Sequence, residues 1–232
     1  LFRFKQFTIH QNRTTMKVCT DSCVLGSYAD VGLGGRLLDI GTGTGLLALM
    51  AAQRNPTAQI EAVEIDNAAF QQAIDNVNDS PFAKRVQVVN SPIQAFSAEP
   101  FDRIWSNPPF YTNHLRSPDS AVNRALHNGE LPFEALVASV HRLLKPEGQF
   151  WVLLPPFEME RLITFAEKTG LRPYRQLNLR HNAQKPVFRV IAGFAFGDSG
   201  ASETNELAIF EPNGKTYSES FRELLQPFYL NF

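Results

Sequence analysis

The 232-residue chain is poor in cysteine, methionine and tryptophan, with two, three and two of them. Its cysteines, Cys19 and Cys23, make one C-x3-C pair. No second pair exists to complete a zinc site or a disulfide framework, so two buried free thiols in a reducing, cytoplasmic compartment are expected. Long apolar runs are missing too. The longest stretches, around residues 46–52 and 150–154, fall far short of the ~20 residues that cross a bilayer. The opening residues Leu1-Phe2-Arg3-Phe4-Lys5 carry no signal-peptide apolar region. They also carry no initiator methionine, so the chain is expected to start a few residues late. Neither sign of charge is in excess: 22 Lys+Arg stand against 23 Asp+Glu, for a net charge of −1. A protein that coats nucleic acid by bulk charge is thereby excluded, while a local basic face is not. The five histidines, His10, His114, His127, His141 and His181, show no metal-ligand spacing, and no metal is expected.

What is present is ordinary globular material, 44% hydrophobic and 19% charged, enough for one domain with a full core. From residue 36 strands and helices alternate. Strands are predicted over residues 36–40, 59–65, 86–89, 101–106 and 149–154, and helices over 45–54, 67–78, 133–144 and 157–168. Residues 171–179 and 187–196 read as two further strands with no helix between them, which must pair antiparallel. The pattern is that of an α/β, doubly wound, mostly parallel seven-stranded sheet with a C-terminal antiparallel hairpin. Residues 1–30 form an N-terminal extension, 31–198 the core, and 199–232 a C-terminal tail with a short helix around Phe221, Leu224 and Leu225. The polar segment 111–131 reads as a long loop.

Asp39-Ile40-Gly41-Thr42-Gly43-Thr44-Gly45 follows a strand and opens a helix. Glycines let backbone turn sharply and approach a ligand, and the helix start supplies free N–H donors. Glu64 ends the next strand, where a carboxylate can accept from both hydroxyls of a ribose. The spacing is G-x-G-x-G, without the extra residue of a dinucleotide loop, and an acid precedes it. An acid there would repel a pyrophosphate but suits a cation. S-adenosylmethionine, with an ammonium and a sulfonium, is the expected cofactor.

Asn107-Pro108-Pro109-Phe110 ends the fourth core strand on the same carboxyl edge. Two prolines fix the backbone and remove two donors. The Pro108 carbonyl and the Asn107 side-chain oxygen are then two acceptors aimed together, which suits an NH2 group. Phe110 offers a face on which a planar group can stack, with Tyr111 adjacent. Hydrogen bonds from both N–H atoms would stabilise positive charge as it develops on the nitrogen.

The glycine turn and the Asn107 motif, with Val63-Glu64-Ile65-Asp66, resemble the signature of class I amino-methyltransferases. Phe4-Lys5-Gln6-Phe7, Met16-Lys17-Val18-Cys19-Thr20-Asp21 and Phe228-Tyr229-Leu230 narrow the resemblance to the bacterial tRNA(Val) (adenine-37-N6)-methyltransferase family. The resemblance implies that Gly41, Thr42, Gly43 and Gly45 line the methionine part of the cofactor and that Asp39 sits near its amino group. It implies that Glu64 holds the ribose, Ile65 packs on the adenine, and Thr20 and Asp21 cap the cofactor. Asn107 lies at the cofactor as well as at the substrate, and Asn107, Pro108, Pro109 and Phe110 form the catalytic motif. One departure is plain: the stretch Val89-Asn90-Ser91 lacks the acid that often meets the cofactor's adenine amino group, so Ser91 or a backbone group would serve.

The implied substrate is an adenine N6 in tRNA, just 3′ of the anticodon, and the expected state is a monomer. Phosphates would be met by Arg3, Lys5, Arg13 and Lys17 in the extension, Arg116 and Arg124 after the motif, and Arg172, Arg175, Arg180, Lys185 and Arg189 around the hairpin. The alternatives are guanine N2 of rRNA or a protein glutamine, which present the same NH2 group. A non-catalytic protein of the same fold that binds RNA or a partner is a more remote one.

Overall fold

The computed structural model describes residues 1–14, 17–109, 131–197, 200 and 202–231. Phe110, Tyr111, His114, Arg116, Arg124, His127 and nearly all of the expected long loop lie outside them. The chain runs β1 (Phe2–Arg3), β2 (Thr8–Ile9), α1 (Thr20–Tyr28), β3 (Arg36–Ile40), α2 (Leu46–Arg54), β4 (Gln59–Glu64), α3 (Asn67–Asn78), β5 (Val86–Asn90) and β6 (Phe101–Ser106). It continues through α4 (Phe133–Leu143), β7 (Leu144–Leu154), α5 (Pro156–Lys168), β8 (Leu171–Asn182), β9 (Val187–Phe196), β10 (Glu203–Phe210) and α6 (Glu219–Leu225).

The main sheet has the order β10-β8-β9-β7-β6-β3-β4-β5. Every neighbouring pair is parallel except those made by β9, which runs against both β7 and β8. The sheet is therefore mostly parallel with an antiparallel hairpin, as expected, but it has eight strands where the sequence pattern suggested seven. The additional strand is β10, in the segment read as a tail. Its first half, Glu203-Thr204-Asn205-Glu206, is polar and exposed. Only Leu207 and Ile209 turn inward, too short an alternation to announce a strand. Arg175 pairs with Glu203 at 3.1 Å and Arg180 with Glu206 at 3.0 Å along this junction, and charges of this kind are how exposed edges avoid further pairing.

Side chains alternate through the central strands and feed two cores. Leu37, Ile60, Ala62, Trp105, Trp151, Leu153 and Ile191 face α1 and α2. Leu38, Ile40, Val63, Ile104, Phe150, Val152 and Phe194 face α4 and α5. Both faces being covered is what permits parallel pairing, because strands buried on both sides need helices above and below. Trp151 sits against Gly193, where an added Cβ would lie 2.9 Å from the indole ring. The glycine is there for close approach.

The N-terminal extension is built in rather than trailing. The β1–β2 hairpin places Phe4 opposite Tyr229, Lys5 N–H donates to the Phe228 carbonyl at 2.8 Å, and Phe4 stacks on Phe7 at 4.6 Å. The first and last motifs of the chain thus form one aromatic cluster. Among the described residues no helix is long and apolar enough to cross a membrane.

Candidate active site

β3, β4, β6 and β7 end on one edge of the sheet, and that edge carries the chemistry. Gly41, Gly43 and Gly45 have φ of 71°, 58° and 83°, a region that favours glycine. The turn is closed by Gly41 and Thr42 N–H groups, which donate to the Val63 carbonyl at 2.9 and 3.1 Å. A Cβ added at Gly41 or Gly43 would meet nothing within 4 Å, so open space lies over the loop.

Asp39 is fully buried beneath it. Its Oδ2 accepts from the Thr42 hydroxyl at 2.6 Å and from Ala48 N–H at 3.2 Å, while Oδ1 is buried with no partner among the described residues. Burial pushes the carboxyl up to about 7; the two hydrogen bonds pull it down, and the Glu64 charge adds to the rise. Glu64 accepts from Gly43 N–H at 2.9 Å through Oε2 and from Asp66 N–H at 2.9 Å through Oε1. Each oxygen keeps one lone pair for a ligand. Ile65, next to it, is 66% exposed, an apolar side chain facing open space where a planar ring could rest.

Three residues that the sequence did not single out hold this arrangement. Fully buried Asn76 donates to the carbonyls of Thr44 and His10 and accepts from His10 N–H, at 2.8, 2.8 and 2.9 Å. Asn90 donates to the Glu64 carbonyl at 2.8 Å, locking the ends of β4 and β5. Ser22, the third, belongs to the neighbouring strand's site. Ser91 donates its hydroxyl to the Pro92 carbonyl at 3.0 Å, which leaves its oxygen as an acceptor. An asparagine within a helix or at a strand end carries no periodic signal, and only the fold reveals what it bonds.

β6 lies beside β3, with Ser106 paired to Ile40 and its hydroxyl donating to the Ile40 carbonyl at 2.8 Å. Asn107 and Pro108 follow directly, one strand from the glycine loop. Asn107 is half-buried, Pro108 buried and Pro109 exposed. The Asn107 amide nitrogen donates to Ser22 Oγ at 3.0 Å. Thr20 is the first residue of α1, two positions before Ser22. Asp21, expected at the cofactor, accepts from Arg189 Nε of β9 at 2.9 Å and from Ser22 N–H at 3.1 Å.

Arg13, Arg175, Arg180 and Arg189 of the expected basic rim are all in ion pairs, and Lys5 donates to the Gln226 carbonyl. Cys19 and Cys23 are free thiols. His181 stacks on Phe188 at 4.1 Å and His141 meets Phe196 edge-on. Among the described residues no group of three His, Cys, Asp or Glu side chains is placed to hold a metal.

A glycine turn over a buried acid, a carboxylate at the end of the next strand, and Asn107-Pro108 at the end of the strand on the other side are the arrangement of an S-adenosylmethionine-dependent methyltransferase on a Rossmann-like sheet. The family model described as "Methyltransferase small domain" matches residues 17–164, and the chain belongs to that family. It is 47% identical over its whole length to a protein of Dyadobacter fermentans, covering 98% of it. It is 40% identical to one of Bacteroides fragilis, with 99% of this chain and 97% of that one aligned. Both relatives are named tRNA1(Val) (adenine(37)-N6)-methyltransferase. Among solved structures, a predicted O-methyltransferase from Agrobacterium tumefaciens superposes with a TM-score of 0.68 at 16% identity, over 89% of this chain and 96% of that one. That likeness shows the fold alone.

The donor set fits the cofactor. Open space over Gly41 and Gly43, the unpartnered Oδ1 of Asp39, the spare lone pairs of Glu64 and the bare Ile65 side chain are what a cationic amino acid joined to a nucleoside requires.

Proposed function

We propose that this chain methylates the exocyclic N6 of an adenine in tRNA, the adenine just 3′ of the anticodon of tRNA(Val). The observation that carries this is the placement of Asn107 and Pro108 at the end of β6, hydrogen-bonded through Ser106 to the strand that ends in the glycine loop. Two acceptors one strand from the cofactor suit an NH2 group, and the names of the full-length relatives point to which one.

S-adenosylmethionine, when bound, supplies an activated methyl group. Asp39 lies toward its ammonium, Gly41, Thr42, Gly43 and Gly45 line its amino-acid part, Glu64 accepts from the ribose and Ile65 packs on the adenine. Thr20 and the backbone near Ser91 complete the enclosure. At the substrate, Asn107 Oδ1 and the Pro108 carbonyl accept the two N–H atoms of the target amine. An aromatic amine is a poor nucleophile because its lone pair is shared with the ring. Two acceptors favour a more tetrahedral nitrogen and stabilise the positive charge that develops on it. Pro109 stiffens the turn, and Phe110 stacks on the base. A base in a loop is already partly unstacked, which lowers the cost of drawing it out. The enzyme acts as a monomer, without a metal, in the cytoplasm.

The test is transfer of labelled methyl to purified tRNA, total RNA, DNA and protein, with mass spectrometry of the product. N6-methyladenosine in tRNA is expected. Methylated guanine or glutamine would keep the amine chemistry and replace the substrate. Bound cofactor with no transfer to anything would remove the catalytic roles given to Asn107 and Phe110.

A further inference from the structure

We infer that Ser22 is a positioning residue that fixes which end of the Asn107 amide faces the substrate. A primary amide is nearly symmetric in shape but opposite in function at its two ends: the oxygen accepts and the NH2 donates. An Asn107 free to turn over would offer a donor to the target amine, and donor would face donor.

The fold removes that freedom with a residue 85 positions away, since Asn107 Nδ2 donates to Ser22 Oγ at 3.0 Å. Ser22 Oγ also lies 2.7 Å from Cys19 Sγ, a contact in which either group can be the donor. The Cys19 thiol is pushed up to about 11, first by burial and then by the Asp21 charge, so it stays protonated. The Ser22 oxygen, held between thiol and amide, is the acceptor for the Asn107 NH2.

Asp21 ends the chain as an acceptor. It is held from the other side by Arg189 Nε of β9 at 2.9 Å and by the Ser22 backbone N–H at 3.1 Å. Ser22 and Asp21 are both at least nine-tenths buried, so water competes little for these bonds. The tie from β9 through α1 to the end of β6 thus presents Asn107 Oδ1 as the acceptor.

The inference rests on the amine-binding role proposed for Asn107. The experiment is steady-state methyl transfer to a tRNA transcript by wild type and Ser22→Ala, with cofactor binding by calorimetry and thermal melting of each protein. Loss of one neutral hydrogen bond that orients a reacting group lowers kcat about fivefold to tenfold, with KM for tRNA and cofactor affinity unchanged and the melting temperature lowered by no more than a few degrees. Cys19→Ala, which removes the contact that holds the Ser22 hydroxyl in place, lowers kcat in the same direction and supports the inference should Ser22→Ala fold poorly. A kcat within twofold of wild type in both variants overturns it. So does a fall in kcat matched by equal losses of cofactor affinity and melting temperature, which would mark a purely structural role. Should wild type methylate a guanine or a glutamine instead, the same comparison is made on that amine. Failure of the substrate reading shows in wild type, and failure of this inference shows only in the variants.

Discussion

Gly43 N–H donates to Glu64 Oε2 across 2.9 Å, tying the glycine turn after β3 to the carboxylate at the end of β4. The bond needs the positive φ of Gly43, 58°, so turn geometry and carboxylate position are one feature. In the proposed role, Glu64 serves the cofactor both through its own hydrogen bonds and through the shape of the turn.

Glu64→Ala removes the ribose acceptor and leaves the Gly43 and Asp66 N–H groups without their partner. Hydrogen bonds to a charged group contribute about 1.5–3 kcal/mol each. Two of them lost weaken S-adenosylmethionine binding by about 100-fold or more, which titration calorimetry reads directly.

Asp39 makes the site sensitive to pH. Burial holds its carboxyl up to about 7 in the folded protein, against ~3.9 in an unfolded chain. The folded form therefore keeps a proton that the unfolded chain releases, and the ligand-free protein loses stability as pH rises from about 4 to about 7. A cation beside Asp39 favours the ionised form, so cofactor affinity rises between about pH 5.5 and pH 7.5. Melting curves and calorimetry at stepped pH show both trends in wild type, and Asp39→Asn flattens both.

Asn76 joins the N-terminal segment to the glycine turn through three hydrogen bonds, to His10 and Thr44. Asn76→Ala strands buried backbone groups at ~1–3 kcal/mol each. A loss of at least about 2 kcal/mol in urea unfolding is expected, together with weaker cofactor binding.

Gly193→Ala places a Cβ 2.9 Å from the Trp151 ring. The ring is held edge-on by Tyr28 at 5.8 Å and by Tyr174 at 5.7 Å, so it has little room to retreat. Overpacking of this kind costs about 1–3 kcal/mol. Calorimetric melting reads it as a drop of about 2–4 °C per kcal/mol for a chain of this size.

The parts of the fold that were legible in the sequence are those with a local cause. α3 begins and ends where expected because Asp66 accepts from Ala69 N–H as a cap and an apolar face recurs along the helix. β6 ends at the prolines. α1 was not expected within the extension, because Cys23, Val24, Leu25 and Gly26 are all buried and a helix buried all round has no apolar stripe to read. β10 was hidden by its polar first half. At the site, Asp39, Glu64 and Asn107 announce themselves by residue type at a strand end. Ser22 and Asn76 do not, since each acts through a partner distant in sequence.

Asn107 is proposed to hold the amine of one adenine for transfer. The most direct measurement is mass-spectrometric mapping of the methylated nucleotide in a tRNA(Val) transcript, with wild type and Asn107→Ala compared at saturating cofactor. N6-methyladenosine at the position 3′ of the anticodon is expected with wild type. With the variant, a loss of about 100-fold or more in rate at little-changed cofactor affinity is expected, as for removal of an acceptor that acts in the transition state. Methyl on any other atom, or a variant that transfers at the wild-type rate, would contradict it.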